Sequence, residues 1–556
     1  MGVRVSVAVT TVATTRPRVL GALLLVLPVL GLLVFFVHPL LTVLWRSLTD
    51  TEGTFTLTNY VRLFDDPGLP HAALRSLAIG LATTLCTVSL GLGLAMALHR
   101  SHLPGKFLIR GALILPMLAP SLVLGLGLVC LLGRNGLVHR LTGLPTDIYG
   151  FWGLLLANTL YGLPQVVIIV SAALARTPAR HYDAAESMGA SPWRQFIDVT
   201  VPRLRFALLA AAFLVFTETL TDFGSAVVVG GSYRVLAMEI YSEVVGQLDF
   251  AMGATLGVVL LAPALLSVWL GRLARRRQDS GDASPGRTLV PAKHAGRDIA
   301  LGALSVVTLV PLVAVVATVA YVSVVKLWPY DRTLTFANYT GGMPDGYGPV
   351  GTSLGMALLA ACAGVILVFA LTAGLRRAPA FIAKPIQFLA SLPAAVPGMV
   401  LGLGYVLAFN HGALSGWLYG SVAIVAACSL FHYHAQAFLT MQTGMRQVPE
   451  ALDDAVAVSG GSTRHVIRDA VLPFAAPAAV STFFYLFMRS LVTLSGVIFL
   501  VTPDLGLASV TVMRLDENGF LAQAAAYAMC VVLAGALALG AMRLLLHVLK
   551  DRRHVA

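Results

Sequence analysis

The amino-acid sequence predicts an all-α, polytopic membrane protein of about twelve transmembrane helices in two parallel six-helix repeats. Three observations support this fold class: the composition, the length of the apolar segments and an internal duplication. Of the 556 residues, 57% are hydrophobic and only 12% are charged, which is too apolar for an ordinary soluble domain. A lipid bilayer is therefore the expected environment of this chain.

Apolar segments long enough to cross a bilayer, which takes about 20 residues in a helix, alternate with polar loops along the whole chain. In the first half they cover residues 20–45, 74–97, 111–133, 151–174, 204–229 and 250–271. In the second half they cover residues 299–323, 353–374, 386–409, 415–440, 474–501 and 521–548. The first apolar segment is too long for a signal-peptide core, so we retain it as a span.

Basic residues are concentrated in loops on one side of the predicted bundle, which we call the basic side. These loops are residues 100–110, 176–205, 272–297 and 550–553. Because cytoplasmic loops carry an excess of Lys and Arg, we expect this side and both chain termini to be cytoplasmic. Acid-rich loops such as residues 50–66 lie on the opposite side. Membrane orientation explains the net charge of +12, so no nucleic-acid partner is expected.

The second half of the chain repeats features of the first half. Leu115-Pro116, Pro120 and residues 123–127 (VLGLG) return as Leu392-Pro393, Pro397 and residues 400–404, and Asn59-Tyr60 returns as Asn338-Tyr339. Pro and Gly at matched depth are typical of kinks and close helix packing. Two copies in the same orientation predict a parallel repeat with a pathway at the interface between the repeats.

The predicted domains are a first transmembrane repeat at residues 1–274, a cytoplasmic linker at 275–298 and a second transmembrane repeat at 299–556. The linker is polar, basic and contains Gly and Pro, which is typical of a flexible connection. The five cysteines all lie in apolar segments without CxxC spacing. We therefore expect neither disulfides nor a cysteine metal site.

The basic-side loop between the fourth and fifth spans of each half contains five identical residues at identical spacings. They are Pro178, Asp183, Ala184, Gly189 and Pro202 in the first half, and Pro449, Asp454, Ala455, Gly460 and Pro473 in the second. The first copy has a further alanine, Ala185, where the second has Val456. Pro is excluded from helix interiors, acidic residues favour first turns, and Gly permits the left-handed conformation that ends a helix. The pattern predicts a short exposed helix that stops at Gly, with the next span beginning at Pro202 or Pro473, an arrangement that can transmit a push.

At these residues the sequence resembles the permeases of ATP-binding-cassette importers, whose signature is a loop of the form E-A-A-x-x-x-G followed by an apolar residue and Pro. The resemblance covers both halves and nearly the whole chain. It implies that residues 183–189 and 454–460 form coupling helices that dock in a cleft of an ATPase subunit. Both copies have Asp in place of Glu, and the second has Val456. Because Asp keeps the charge and Val adds modest bulk, we interpret these differences as variation.

ATP hydrolysis is expected to belong to a separate subunit, since no G-x-x-x-x-G-K-[ST] loop occurs in the sequence. The resemblance implies two copies of an ATP-binding-cassette ATPase, an extracytoplasmic solute-binding protein and a location in a bacterial inner membrane. The chain itself is expected to have no enzymatic activity and no cofactor. Fused two-repeat permeases of this length resemble those for ferric iron, 2-aminoethylphosphonate or thiamine. Residues 493–500 (TLSGVIFL) are most similar to the iron and aminoethylphosphonate branches.

Three charged residues, Glu218, Asp222 and Arg489, are predicted within the membrane, where a charge usually faces a cavity or a partner, and we expect them to line the translocation pathway. Glu218 and Asp222 are four residues apart in the predicted fifth span, and so lie on one helix face. The alignment of the two loops places Glu218 opposite Arg489 of the eleventh span. We hypothesise that Glu218 and Arg489 form an ion pair that lines or gates the translocation pathway. Alternatively, each side chain pairs locally or extends to a membrane interface.

Two other classes of protein remain as alternatives. An ion-coupled secondary transporter also often has two parallel halves, but it would not explain the paired loops. A membrane-embedded enzyme fits less well, because no His, Cys or carboxylate residues cluster on one side. His432 and His434 of the tenth span point away from each other on a helix, which favours packing over metal ligation.

Overall fold

The computed structural model describes residues 17–50, 52–279, 293–340, 346–376, 378–412, 415–449 and 451–555. Within these ranges the protein is a bundle of α-helices with one antiparallel hairpin, Val325–Leu327 paired with Asp331–Leu334. Eleven described helices are long and apolar enough to cross a membrane, and a bent helix pair brings the number to twelve. The predicted all-α, polytopic fold is confirmed.

The membrane spans follow the predicted order. Spans 1 to 6 are Leu23–Ser47, Gly68–Arg100, Ser121–Thr142, Phe151–Ala175, Pro192–Thr221 and Phe250–Gly271. Spans 7, 8, 10, 11 and 12 are Ala295–Ser323, Gly348–Leu375, Val422–Met445, Val466–Leu491 and Leu521–Asp551, and span 9 is the bent pair Ala380–Ala395 and Gly398–Phe409. The helix of span 6 continues to Asp279, and residues 280–292 of the predicted linker lie outside the described residues.

Shorter helices connect the spans and lie at their ends. In the first half these are Thr58–Arg62, Lys106–Ala112, Leu115–Leu118, Leu137–Thr142, Arg180–Ser187, Gly224–Val229 and Leu236–Tyr241. In the second half they are Ala337–Thr340, Ser415–Leu418, Ala451–Val458 and Ala508–Glu517. Arg180–Ser187 and Ala451–Val458 belong to the basic-side loops that carry the repeated motif.

The third span of each repeat is broken, although the sequence predicted continuous spans at 111–133 and 386–409. In both repeats a short helical segment ends at an extended residue, and a longer helix begins directly after the proline that follows. These prolines are Pro120 and Pro397, and the longer helices are Ser121–Leu132 and Gly398–Phe409. In the second repeat the two helix axes differ by 106°. A proline disfavours the helical conformation of the residue before it, which explains the shared break.

The first span of each repeat packs against the opposite repeat. This close approach requires Gly127 and Gly404, the last glycines of the two VLGLG segments. A Cβ at Gly404 would lie 2.6 Å from the Pro39 carbonyl oxygen of span 1, and a Cβ at Gly127 would lie 2.7 Å from the Val315 carbonyl oxygen of span 7. The prediction that the repeated glycines serve helix packing is confirmed.

The repeated Asn-Tyr pair fixes the loop after the first span of each repeat. Asn59 and Asn338 are buried, and each side-chain amide donates to two backbone carbonyl oxygens. The acceptors are Ser47 (3.2 Å) and Thr49 (3.0 Å) for Asn59, and Ser323 (3.1 Å) and Val325 (2.7 Å) for Asn338. The bonds to Ser47 and Ser323 satisfy carbonyls at the C-terminal ends of helices, and the other two fix the backbone that follows.

Candidate functional site

Each basic-side loop forms a short helix that stops at the predicted glycine. The first helix is Arg180–Ser187 and the second is Ala451–Val458. Gly189 and Gly460 follow them with φ of +74° and +77°. Most residues other than Gly avoid this left-handed conformation, at a cost of about 1–2 kcal/mol. The predicted helix end is therefore confirmed in both copies.

The two helix ends also share their hydrogen bonds. In both copies, the residue after the glycine donates its backbone N–H to the carbonyl oxygen five residues earlier. The pairs are Ala190 to Ala185 at 2.9 Å and Gly461 to Val456 at 2.8 Å. This is the bond of a Schellman cap, which ends a helix sharply and satisfies its last carbonyls.

The two faces of these helices have different surroundings. Asp183, Ala184, Asp454 and Ala455 are exposed, and large apolar side chains are exposed near both helix ends, where Met188 is 82% and Val458 is 90% exposed. Ala185 is buried on the inner face, and Val456 packs inward against a small apolar cluster. The departure from the signature at Val456 therefore adds bulk inside the protein and leaves the exposed face unchanged.

Pro202 and Pro473 do not begin the next spans, as the sequence predicted. Span 5 begins at Pro192 and span 11 begins at Val466. Each proline instead follows a π-helical turn, Phe196–Thr200 or Val466–Val471, and lies near the start of the α-helix after it. The wide turn accommodates the proline ring and its missing N–H. As a result, one continuous helix leads from each basic-side loop into the membrane.

Glu218 of span 5 and Arg489 of span 11 come together where the repeats meet. Arg489 Nη2 lies 3.9 Å from Glu218 Oε1, and the two side chains are 29% and 23% exposed. This distance is an ion pair but is too long for a hydrogen bond. The closer partners come from span 4: Gln165 Nε2 donates to both carboxylate oxygens at 2.8 and 2.7 Å, and Arg489 Nη1 donates to Tyr161 Oη at 2.9 Å.

Aromatic rings and a narrow cavity surround this pair. The Arg489 guanidinium carbon lies 5.0 Å from the centre of the Tyr433 ring, a cation–π geometry. The cavity beside Glu218 has a volume of about 10 Å³ and is lined in part by Asn158, Tyr161 and Thr219. It has room for about one water molecule at most. This cavity lies between spans 4 and 5 of the first repeat, beside the ion pair.

Asp222 ends the helix of span 5, four residues after Glu218. Span 5 ends at Thr221, and Asp222 has an extended backbone with φ −76° and ψ 114°. Its Oδ1 accepts a hydrogen bond from Ser121 Oγ at 2.6 Å, and its Oδ2 accepts one from the Ser225 N–H at 3.1 Å. The partly buried carboxylate thus has two donors, one of which is a backbone N–H in the first turn of Gly224–Val229. The hydrogen bond between Asp222 and Ser121 therefore connects the end of span 5 to the start of span 3.

Span 11 ends at Leu491 rather than at residue 501 as predicted, and turns follow at residues 495–500. Non-helical backbone at membrane depth is tolerated where neighbouring protein groups supply its hydrogen bonds. Ser509 Oγ donates to the Thr493 carbonyl oxygen at 2.6 Å, and Cys428 Sγ lies 3.1 Å from that of Gly496. Hydropathy alone does not detect such a break, because the segment remains apolar.

Among the described residues, no group of three or more His, Cys, Asp or Glu side chains is arranged to hold a metal ion. His434 is buried, and its ring stacks on Phe431 and Phe438 with centres 6.0 and 6.4 Å apart. These contacts agree with the packing role that the sequence favoured for this histidine.

A family model described as "Binding-protein-dependent transport system inner membrane component" matches residues 89–280 and 366–551, which is more than half of the chain. The chain belongs to this family. Each match lies in one half of the chain, so this protein is a fused two-repeat permease of the ATP-binding-cassette importer type. It is a multi-pass membrane protein of a family of inner-membrane components.

Several curated proteins are similar to this permease over much of its length. The ferric transport system permease protein FbpB of Actinobacillus pleuropneumoniae is 29% identical over 535 residues, covering 92% of this chain and 75% of the relative. A putative ferric transport system permease protein of Haemophilus influenzae is 29% identical, with coverage of 85% and 77%. The thiamine transport system permease protein ThiP of Brucella abortus is 29% identical over 347 residues, with coverage of 59% and 61%.

Sequence reasoning missed the uncharged polar side chains of span 4 that lie beside the central ion pair or line the adjacent cavity. Asn158, Tyr161 and Gln165 occur at intervals of three and four residues in span 4. This spacing places them on one helix face. A polar stripe in an apolar span was therefore a signal for the pathway, whereas Tyr433 could be found only from the fold.

Proposed function

We propose that this permease forms the translocation pathway of an ATP-driven importer for a small charged solute. The first coupling helix (Arg180–Ser187) and the second coupling helix (Ala451–Val458) would each bind one copy of an ATPase subunit. The observation that carries the proposal is the pair of glycine-capped helices, each followed by a helix that enters the membrane. Those two membrane helices carry Glu218 and Arg489, so movement of the loops can reach this ion pair.

The proposed ATPase-docking residues are those of the two repeated motifs. They are Asp183, Ala184, Ala185, Gly189 and Pro202 in the first copy, and Asp454, Ala455, Gly460 and Pro473 in the second. Glu218, Asp222 and Arg489 are proposed to line the translocation pathway, with Glu218 and Arg489 as its gate. Residues 1–274 and 299–556 are the proposed repeats, joined by a linker at 275–298.

Ferric iron is the proposed solute, because permeases named for ferric transport are similar to nearly the whole chain. Thiamine is second, since that similarity covers a smaller part of the chain. The resemblance of residues 493–500 to aminoethylphosphonate permeases keeps 2-aminoethylphosphonate as a third candidate. We further propose that an extracytoplasmic binding protein delivers the solute, and that the basic side with both termini is cytoplasmic.

The test is reconstitution of the permease with its ATPase in proteoliposomes, supplied in turn with binding proteins loaded with ferric iron, thiamine or 2-aminoethylphosphonate. The variant is Gly189→Glu with Gly460→Glu, which adds strain and bulk at both docking surfaces. Gly143→Glu is the matched control, because Gly143 also has positive φ (+71°) and open space around it, but lies between spans 3 and 4 on the other side.

We expect ATP hydrolysis and uptake to be stimulated by one loaded binding protein in the wild type and in Gly143→Glu. The double variant should lose ATPase binding and at least about 90% of uptake, since two left-handed positions and two docking surfaces are perturbed. Solute uptake driven by an ion gradient without any ATPase would contradict the proposal and favour a secondary transporter.

A further inference from the structure

Arg376 lies where span 8 ends, on the basic side of the second repeat, and joins this end to the end of span 10. Its Nη1 donates to the carbonyl oxygens of Met445 (3.3 Å) and Val448 (3.0 Å), and its Nη2 donates to that of Pro449 (3.1 Å). The last carbonyls of a helix have no partners within the helix. A single arginine therefore fixes one span to the backbone that leads into the second coupling helix.

Arg376 also binds that coupling helix directly. Its Nη2 donates to Asp453 Oδ1 at 3.2 Å and its Nε donates to Oδ2 at 3.3 Å. The two side chains are only 10% and 13% exposed. A buried, two-pronged arginine–carboxylate contact has a fixed geometry as well as a strong attraction. Asp453 immediately precedes Asp454 of the repeated motif, so the contact holds the helix next to its docking face.

The first repeat has an equivalent arginine with a different partner. Arg100 is the last residue of span 2, is buried, and donates from Nη2 to the Leu174 carbonyl oxygen near the end of span 4 at 3.3 Å. Its guanidinium carbon lies 4.8 Å from the centre of the Tyr182 ring. Tyr182 immediately precedes Asp183, the same position that Asp453 has in the second copy. Its hydroxyl lies 3.0 Å from Thr200 Oγ1.

The two arginines therefore form the same three-way junction by different chemistry. In both repeats, the guanidinium joins the end of the second span, the end of the fourth span and the inner face of the coupling helix. One junction uses a carboxylate and the other uses an aromatic ring. A coupling helix held in this way cannot shift without also moving the second and fourth spans of its own repeat.

We propose that Arg100 and Arg376 are positioning residues that transmit movement of the coupling helices to the second and fourth spans. Asp453 and Tyr182 are their contacts on the coupling helices. This inference rests on the proposed importer function. Loss of either contact leaves a coupling helix that still binds ATPase but moves separately from those spans, so ATP is hydrolysed without matching transport. The carboxylate junction has the larger effect, because a buried charge pair is stronger than a cation–π contact.

The test measures ferric iron imported per ATP hydrolysed in proteoliposomes of the complete complex, with thiamine as the second probe. The main variant is Asp453→Asn, because Arg376 then keeps its three bonds to backbone carbonyls and the fold is preserved. Asp469→Asn is the matched control, since Asp469 lies on the same side, is 56% exposed, and has Arg468 as a partner only at 3.8 Å. In the first repeat, Tyr182→Phe keeps the ring and Tyr182→Leu removes it.

We expect Asp453→Asn to bind ATPase normally but to import about tenfold less solute per ATP, whereas Asp469→Asn matches the wild type. Tyr182→Leu should lower the amount of solute imported per ATP roughly threefold, and Tyr182→Phe should largely retain the wild-type value. Adding Arg376→Gln to Asp453→Asn should cause no further loss beyond that of Arg376→Gln alone.

An unchanged ratio in Asp453→Asn overturns the inference, and so does a loss of ATPase binding in that variant, which would indicate a role in assembly. Failure of the wild-type complex to import any probe is a separate result. It counts against the proposed importer function itself, and is recognised before any variant is compared.

Discussion

Glu218 and Arg489 illustrate how a partly buried charge pair is stabilised by its neighbours more than by direct contact. The two charges are 3.9 Å apart, while each has a closer neutral partner on span 4, Gln165 or Tyr161. At this distance the two charges share no hydrogen bond, so their direct contact lacks the strength of a charge-assisted hydrogen bond. The pair is therefore weak enough to separate when spans 5 and 11 move, while span 4 continues to satisfy each charge.

If this ion pair gates the pathway, its removal should change the rate of ATP hydrolysis. We expect Glu218→Gln to remove one charge of the proposed gate and to raise ATP hydrolysis without binding protein by roughly threefold, equivalent to less than about 1 kcal/mol. Asp504→Asn is the control, because Asp504 lies on an exposed loop. The measurement is ATPase activity in proteoliposomes with and without loaded binding protein. Unchanged basal hydrolysis and normal uptake in Glu218→Gln would exclude a gating role for the pair.

At the scale of single elements, glycines determine how closely helices approach. Gly404 lies where the backbone of span 1 crosses the helix after the bend of span 9, and any side chain there would overlap Pro39. Small residues allow such contacts in membranes, where packing rather than water drives association of helices. The same role recurs at Gly127 against Val315, so the repeated VLGLG segments are packing motifs in both halves.

We expect Gly404→Val to destabilise the protein by about 1–3 kcal/mol, because the new side chain must displace the Pro39 backbone. Gly355→Val in span 8 is the matched control, since a Cβ at Gly355 meets no other atom within 4 Å. Thermal unfolding in detergent, followed by size-exclusion chromatography, measures the difference. Equal stability of the two variants would mean that span 1 does not pack at Gly404.

At the scale of the whole molecule, each repeat is completed by the first span of the other. Gly404 of the second repeat receives span 1, and Gly127 of the first repeat receives span 7. The central pair likewise takes one charge from each repeat. Neither repeat therefore buries its own helix faces completely without the other.

Because each repeat packs against the first span of the other, we can predict how a divided chain behaves. We expect a permease cut between residues 279 and 293 and produced as two tagged chains to assemble, because the contacts between the repeats do not require a covalent connection. Each half produced alone should aggregate or be degraded, since its exchanged span has no partner. Co-purification through one tag measures assembly. Two halves that are each stable alone and do not bind each other would contradict the exchange.

Some features followed from local sequence at the level of individual residues. Gly189 and Gly460 ended short helices as expected, because only the left-handed conformation of glycine allows that sharp stop. The prediction that spans begin at Pro202 and Pro473 was wrong, because a π-helical turn before each proline continues the helix from the loop into the span. The end of span 5 at Asp222 was not predicted, because it depends on hydrogen bonds from Ser121 and from the Ser225 backbone.

By itself, the sequence determined that this protein is a helical membrane permease with two parallel repeats, because hydropathy, basic loops and repeated turn residues are local properties. Only the tertiary structure decided which first span completes which repeat, where the apolar spans break, and which side chains surround Glu218 and Arg489. Those features depend on contacts between residues far apart in the chain. In an apolar environment, a helix break or a buried charge is stable only where the fold supplies its hydrogen-bond partners.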